Sequence, residues 1–310
     1  MTDFLENDSE MRGVKTDVVG VITYVGTCIG ADNDTSKAIW LIKRVVKIGT
    51  NFTIEWASER YDQIWDDRAT LFSVLPFINA FSILFDGVDE ELRVEDDASL
   101  NFERTDPFTL SAWVKPTDLI GSQTIVNKES NDTALKGYGF LLNTSRLRFI
   151  ARNDNVTSNR LIVETGTGIV TAGEYAHVLV TYDGSSTPAG VKLYVDAVVK
   201  TNVIVTDALT ASIQNTEKLR IGRRSLGDSA YDGNIDEVTI WDKVLTPTEI
   251  GELYNVGIPN DAALHSATAN LISYWKMGDG AAFPIIPDDK GSNDGTMING
   301  ESGDIVQDIP

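Results

Sequence analysis

The stretch Tyr231-Asp-Gly-Asn-Ile-Asp-Glu-Val-Thr-Ile-Trp-Asp-Lys-Val-Leu-Thr-Pro-Thr-Glu-Ile-Gly-Glu-Leu-Tyr254 decides how the rest of the chain is read. Val238 and Ile240 alternate with Glu237, Thr239 and Trp241, the period of two that a half-buried strand requires. After a hydrophobic corner, Thr246 supplies a hydroxyl, Pro247 stands at the first helical position, and Glu249 falls where a capping box places its carboxylate. The stretch therefore predicts a strand, a corner and a short capped helix.

The same grammar extends outward. Phe108, Leu110, Ala112 and Val114 alternate with other residues until Pro116 stops the run. Residues 138–142, 146–152, 161–164, 176–182, 191–195 and 218–221 read as further strands, separated by turn signals such as Asp154-Asn155, Gly166 and Asp183-Gly184. Many short strands with one short helix predict an all-β fold, a two-sheet antiparallel sandwich. Near the start, residues 18–25, 38–48 and 50–57 predict strands of a small β-barrel-like module whose core includes Ile64, Trp65, Ala69 and Leu71. The expected organisation is a flexible arm over 1–16, this module over 17–75, a linker over 76–80, the large β domain over 81–300 and a tail over 301–310.

Composition narrows the function. The chain has 310 residues and a net charge of −20, which repels a phosphate backbone and argues against nucleic-acid binding. Cys28 is the only cysteine, so no intrachain disulfide can form. The first residues lack the basic start and apolar run of a signal peptide, and no apolar stretch has the length for membrane insertion.

Leu84-Phe-Asp-Gly-Val-Asp89, Phe108-Thr-Leu-Ser-Ala-Trp-Val-Lys-Pro116 and the deciding stretch together resemble the laminin-G-like, concanavalin-A-like jelly roll. Leu271-Ile-Ser-Tyr-Trp-Lys-Met-Gly278 and the Asp288-to-Gly300 segment resemble the opening strand and Asp-rich loop of that fold, here placed last, over 271–300, as a circular permutation would place them. The resemblance implies a calcium site, structural in role, at Asp86, Asp236, Asp289 and Asn293. The residues themselves leave another reading open, in which Asp86 caps a turn before glycine and Asp236 holds backbone amides. Sugar stacking on Tyr138, Tyr175, Tyr231 and Trp275 is set against a core or corner role for the same rings.

Catalysis is not expected. The Glu-x-Asp-x-x-Glu strand of jelly-roll glycosidases is absent, because Asn234-Ile-Asp-Glu-Val-Thr lacks both outer glutamates and a regular strand turns Glu237 away from Asp236. His177 reads as structural and lies far in sequence from His265. The module containing Gly30-Ala-Asp-Asn-Asp-Thr-Ser-Lys-Ala-Ile-Trp-Leu-Ile-Lys-Arg44 resembles small β modules of bacteriophage virion proteins. That resemblance implies a non-enzymatic homo-oligomer docked to other virion proteins through 17–75, made in the host cytoplasm and carried on the virion. The large domain would then meet a host-surface glycan or protein. The alternative is an extracellular carbohydrate-binding module of a bacterial protein.

Overall fold

The computed structural model describes the backbone of four strands before residue 57, then residues 79–155 and 157–310. The chain divides into two units, Met1–Pro76 and Phe77–Pro310. Expectations for residues 1–12, for Ile64, Trp65, Ala69 and Leu71, and for the linker before residue 79 lie outside the described residues.

In the first unit, β1 (Gly13–Val19), β2 (Ile22–Cys28), β3 (Trp40–Ile48) and β4 (Asn51–Trp56) form an antiparallel sheet in chain order. The run expected as one strand over 18–25 is a hairpin, in which Val19 pairs with Ile22. In the sequence the apolar run Val18-Val19 and Val21-Ile22 is interrupted by Gly20 alone, a weak signal of a reversal. Strand β1 begins inside the stretch read as an arm.

The second unit opens with β5 (Ser82–Asp86), β6 (Glu91–Val94), β7 (Phe108–Pro116), β8 (Ser122–Glu129), β9 (Gly137–Asn143), β10 (Arg146–Arg152) and β11 (Arg160–Glu164). It continues with β12 (Ala176–Tyr182), β13 (Val191–Val195), β14 (Val198–Val199), β15 (Val203–Asp207), β16 (Leu219–Ile221) and β17 (Asp232–Trp241). After helix α1 (Pro247–Tyr254) come β18 (Leu271–Trp275), β19 (Ile285–Ile286), β20 (Gly295–Ile298) and β21 (Ile305–Val306). One sheet has nine strands in the order β15-β11-β10-β9-β8-β16-β6-β20-β19. The other has eight, β14-β13-β12-β7-β17-β5-β21 with β18 beside β17. All pairings are antiparallel. The expected all-β, two-sheet sandwich is what the chain forms.

The inward residues of both sheets make one core. Its centre is aromatic. Phe108 stacks on Phe102 at 4.6 Å and lies 5.2 to 5.9 Å from Tyr138, Tyr182 and Phe149. Each such ring contributes about 1.5–3 kcal/mol by leaving water. The late strands complete both sheets, since β18 pairs with β17 and β20 with β6.

Strand β17 departs from the half-buried expectation. Val238 and Ile240 face the main core, while Trp241 on the other side packs with Leu245, Ile250, Leu253, Leu271 and Tyr274. Helix α1 covers that second face. Thr246 Oγ accepts from the Glu249 amide at 3.3 Å and Glu249 Oε2 accepts from the Thr246 amide at 2.7 Å, the reciprocal capping box expected. At Gly233 (φ +130°) a Cβ would lie 2.2 Å from the Lys115 carbonyl oxygen, so β17 and β7 meet there only without a side chain.

Candidate functional site

Halfway along, β17 changes partner: residues 232–235 pair with β5 and 238–241 with β18, and a bulge lies between. Glu237 sits in it with φ +51°. The bulge removes the regular alternation expected there, and both Asp236 and Glu237 are buried. Asp236 accepts hydrogen bonds from Asn79 Nδ2 at 2.7 Å and from the Glu237 amide at 2.8 Å. Tyr274 donates its hydroxyl to Glu237 Oε2, and Oε1 has no protein partner. Burial pushes both carboxyls well above the usual range, the Asp236 carboxyl adding to the effect on Glu237. Both acids are buried at the joint where β17 changes partner.

Beside them, a cavity of about 10 Å³ is lined in part by His177, Glu237, Ser111 and Thr239. Burial lowers His177 to about 3, so the ring is neutral when folded. Unfolded, it protonates near 6.5. This residue's contribution is therefore intact above about pH 6.5 and is lost as pH falls toward 3. We expect His177→Gln to resist acid better than the parent chain, with the gap in urea midpoint widening from pH 7 to pH 4. A constant gap across that range would refute the assignment.

The residues expected to hold calcium are not gathered. Asp86 is exposed and caps its turn by accepting from the Val88 amide at 2.8 Å. Asp236 is committed as described. Asp289 pairs with Lys276 at 2.6 Å. Asn293 is buried, donating to Ser273 Oγ at 2.8 Å and Ser99 Oγ at 3.3 Å. Among the described residues no three His, Cys, Asp or Glu side chains cluster as metal ligands. Calcium needs six to eight convergent oxygens, and this set does not fit it.

The aromatic candidates are also placed differently from a sugar platform. Tyr138, Tyr231 and Trp275 are buried in the core. Tyr175 is half-buried, its hydroxyl donating to the Asp308 carbonyl and lying 3.1 Å from Ser82 Oγ. Three of the four rings therefore have no open face to stack on a ligand, because the inter-sheet core claims them.

Two of these residues nevertheless support a groove that the sequence did not disclose. Between β6 and β7, Asp97 accepts from the Ser99 amide at 2.8 Å and starts a short 3₁₀ turn, Ala98–Leu100. Tyr138 donates to the Leu100 carbonyl at 3.0 Å from below, and Asn293 reaches Ser99 from the side. Phe102, stacked on Phe108, anchors the far end. Two shallow depressions meet here, sharing Ala98 and Asn101. One of about 430 Å³ continues past Ser99, Asp106 and Asp242; the other, of about 370 Å³, passes Gln214, Asn215 and Thr216. Gln214 Nε2 donates to the Asn101 carbonyl at 3.1 Å, tying the two walls together. Asn101 Oδ1 is shielded from solvent and has no hydrogen-bond partner in the protein. Loop amides carry no periodicity, so the only available sequence signal was the polar run Gln214-Asn215-Thr216 between strands.

The sequence profile of the concanavalin A-like lectin/glucanases superfamily, in its laminin-G form, matches residues 86–251, more than half of the chain. The chain belongs to that superfamily. Its concanavalin A-like sandwich extends beyond the matched stretch, since β5 begins earlier and β18 to β21 follow. A curated relative, Adhesion G-protein coupled receptor V1 of Danio rerio, is 25% identical over 174 residues, covering 53% of this chain and 3% of that one. The chain thus spans a small fraction of that relative's length. A putative carbohydrate binding protein from Bacteroides ovatus has a similar structure, with TM-score 0.52, 16% identity, and coverage of 90% of this chain and 67% of that one. The CBM40 of the Ruminococcus gnavus IT-sialidase, bound to α2,3-sialyllactose, aligns with TM-score 0.42 and 11% identity, covering 56% of this chain and 96% of that one.

Proposed function

We propose that this lectin-like domain is a non-enzymatic carbohydrate-binding and adhesion module, and that a neutral glycan lies in the groove at Ala98–Leu100. The observation carrying this reading is the pair of adjoining depressions, whose walls carry Ser99, Asn101, Gln214, Asn215 and Thr216. A hydroxyl-rich ligand finds hydroxyl and amide partners in Ser99, Gln214, Asn215 and Thr216. Asp106 and Asp242 line the same groove and disfavour an anionic ligand. A putative carbohydrate binding protein and an adhesion receptor among its relatives agree with this.

A glycan array followed by calorimetry on the best ligand tests it. We expect neutral glycans to bind and Asn101→Ala to weaken them about tenfold or more, the loss of roughly one well-placed hydrogen bond. Binding unchanged in Asn101→Ala and Gln214→Ala, or confined to acidic glycans, would overturn the site.

A finer proposal concerns where the module acts. The separate Met1–Pro76 unit and its likeness to small virion modules support display on a bacteriophage particle, with that unit attaching to other virion proteins. Mass spectrometry of purified particles tests this, and finding the chain only in a bacterial extracellular fraction favours the alternative of a secreted binding module.

A further inference from the structure

Strands β14 and β15 are consecutive in the chain, and each ends its own sheet. Val198, Val199, Val203, Ile204 and Val205 on these strands are between 46% and 61% exposed. Three consecutive exposed residues on β15 break the usual alternation, because its register against β11 shifts where Ile162 faces Thr206 and Val163 faces Ile204, leaving Val205 unmatched. Strand β15 pairs with β11 on one side, and no described strand pairs with its other edge. Such an edge presents free amides and carbonyls, and natural sheets guard it with lysine or proline. Residues 201–206, Thr-Asn-Val-Ile-Val-Thr, contain neither.

We propose that this edge is an interface with a second copy of the chain, the two β15 strands pairing antiparallel about a two-fold axis. Charge placement selects the occupant and its direction. Lys200 stands before the uncharged run and Asp207 ends it, so antiparallel pairing brings each lysine to the end that holds the other copy's aspartate. Parallel pairing would set like charges together. The uncharged run also keeps the chain's overall −20 away from the contact itself. The five aliphatic residues, each about half exposed, supply the apolar share that an interface, just over half apolar by area, requires. The contact is isologous and joins the two nine-stranded sheets into one.

Sedimentation equilibrium of the full chain, with circular dichroism as the folding check, tests the proposal. The wild type is expected to be dimeric at micromolar concentration. Ile204→Lys, at an exposed position, is expected to remain folded and become monomeric. Lys200→Asp is expected to weaken the dimer about tenfold, and the exchange Lys200→Asp with Asp207→Lys to restore it. A monomeric wild type, or an assembly whose mass survives Ile204→Lys, would overturn the interface.

Discussion

Glu129→Ala is expected to lower unfolding free energy by about 3–5 kcal/mol, the loss seen when one partner of a buried ion pair is removed. Glu129, at the end of β8, is 1% exposed. Its carboxylate accepts from Arg152 Nε at 2.6 Å, Arg224 Nε at 3.0 Å and Asn127 Nδ2 at 2.9 Å. Arg152 is itself buried, and burial already lowers its guanidinium below the ordinary value. Without Glu129 that cation stands uncompensated in low dielectric, which costs more than the pair contributes. The same outer face holds Glu91 with Arg93 and Arg220, and Glu164 with Arg146 and Arg148. The arginines around Glu164 are a quarter or more exposed, so water screens that cluster and its loss costs less. Urea unfolding distinguishes the two. Adding Arg152→Leu to Glu129→Ala should recover much of the stability, and a drop below about 1 kcal/mol in the single variant would refute the ranking.

Trp275→Ala is the second large effect, about 3–5 kcal/mol from the cavity and lost contacts of a fully buried ring. Trp275 lies in the main core on β18, and its Nε1 donates to the Asn293 carbonyl at 2.8 Å. That bond pins the loop after β19, whose Asn293 touches Ser99 on the groove rim. Trp275→Phe keeps most of the buried area but orphans the carbonyl, at a cost of about 1–3 kcal/mol. Hydrogen exchange across residues 288–299 should accelerate in the Phe variant before global unfolding, and glycan affinity should fall with it. Unchanged exchange there would show that the loop is held by something other than Trp275.

These two sites differ in how far the sequence discloses them. Trp275 is legible as part of a late strand, because apolar periodicity reports that a face is buried. Its use as a core anchor is not, since the same ring could have faced a ligand. Glu129 carries no signal at all, because Arg152 and Arg224 approach it from separate strands and loops. The residues named for calcium are likewise legible only as a pattern along the chain. Once folded, Asp86 accepts from the Val88 amide, Asp236 from the Glu237 amide, Asp289 pairs with Lys276, and the Asn293 backbone carbonyl accepts from Trp275. The groove was hidden in the opposite sense, built from loop residues with no pattern of their own and held by Tyr138 and Asn293 from the core.

By itself the sequence determined the two-sheet sandwich, the capped helix after β17 and the absence of an intrachain disulfide, because alternation, capping chemistry and cysteine count are local properties of the chain. Only the tertiary structure decided that β17 is covered on both faces, that the acids at its bulge are buried with their pKa values raised, and that loops far apart in sequence share one groove. Those outcomes depend on which distant residue arrives within hydrogen-bond reach, and burial sets both the charge and the availability of every group once it has arrived.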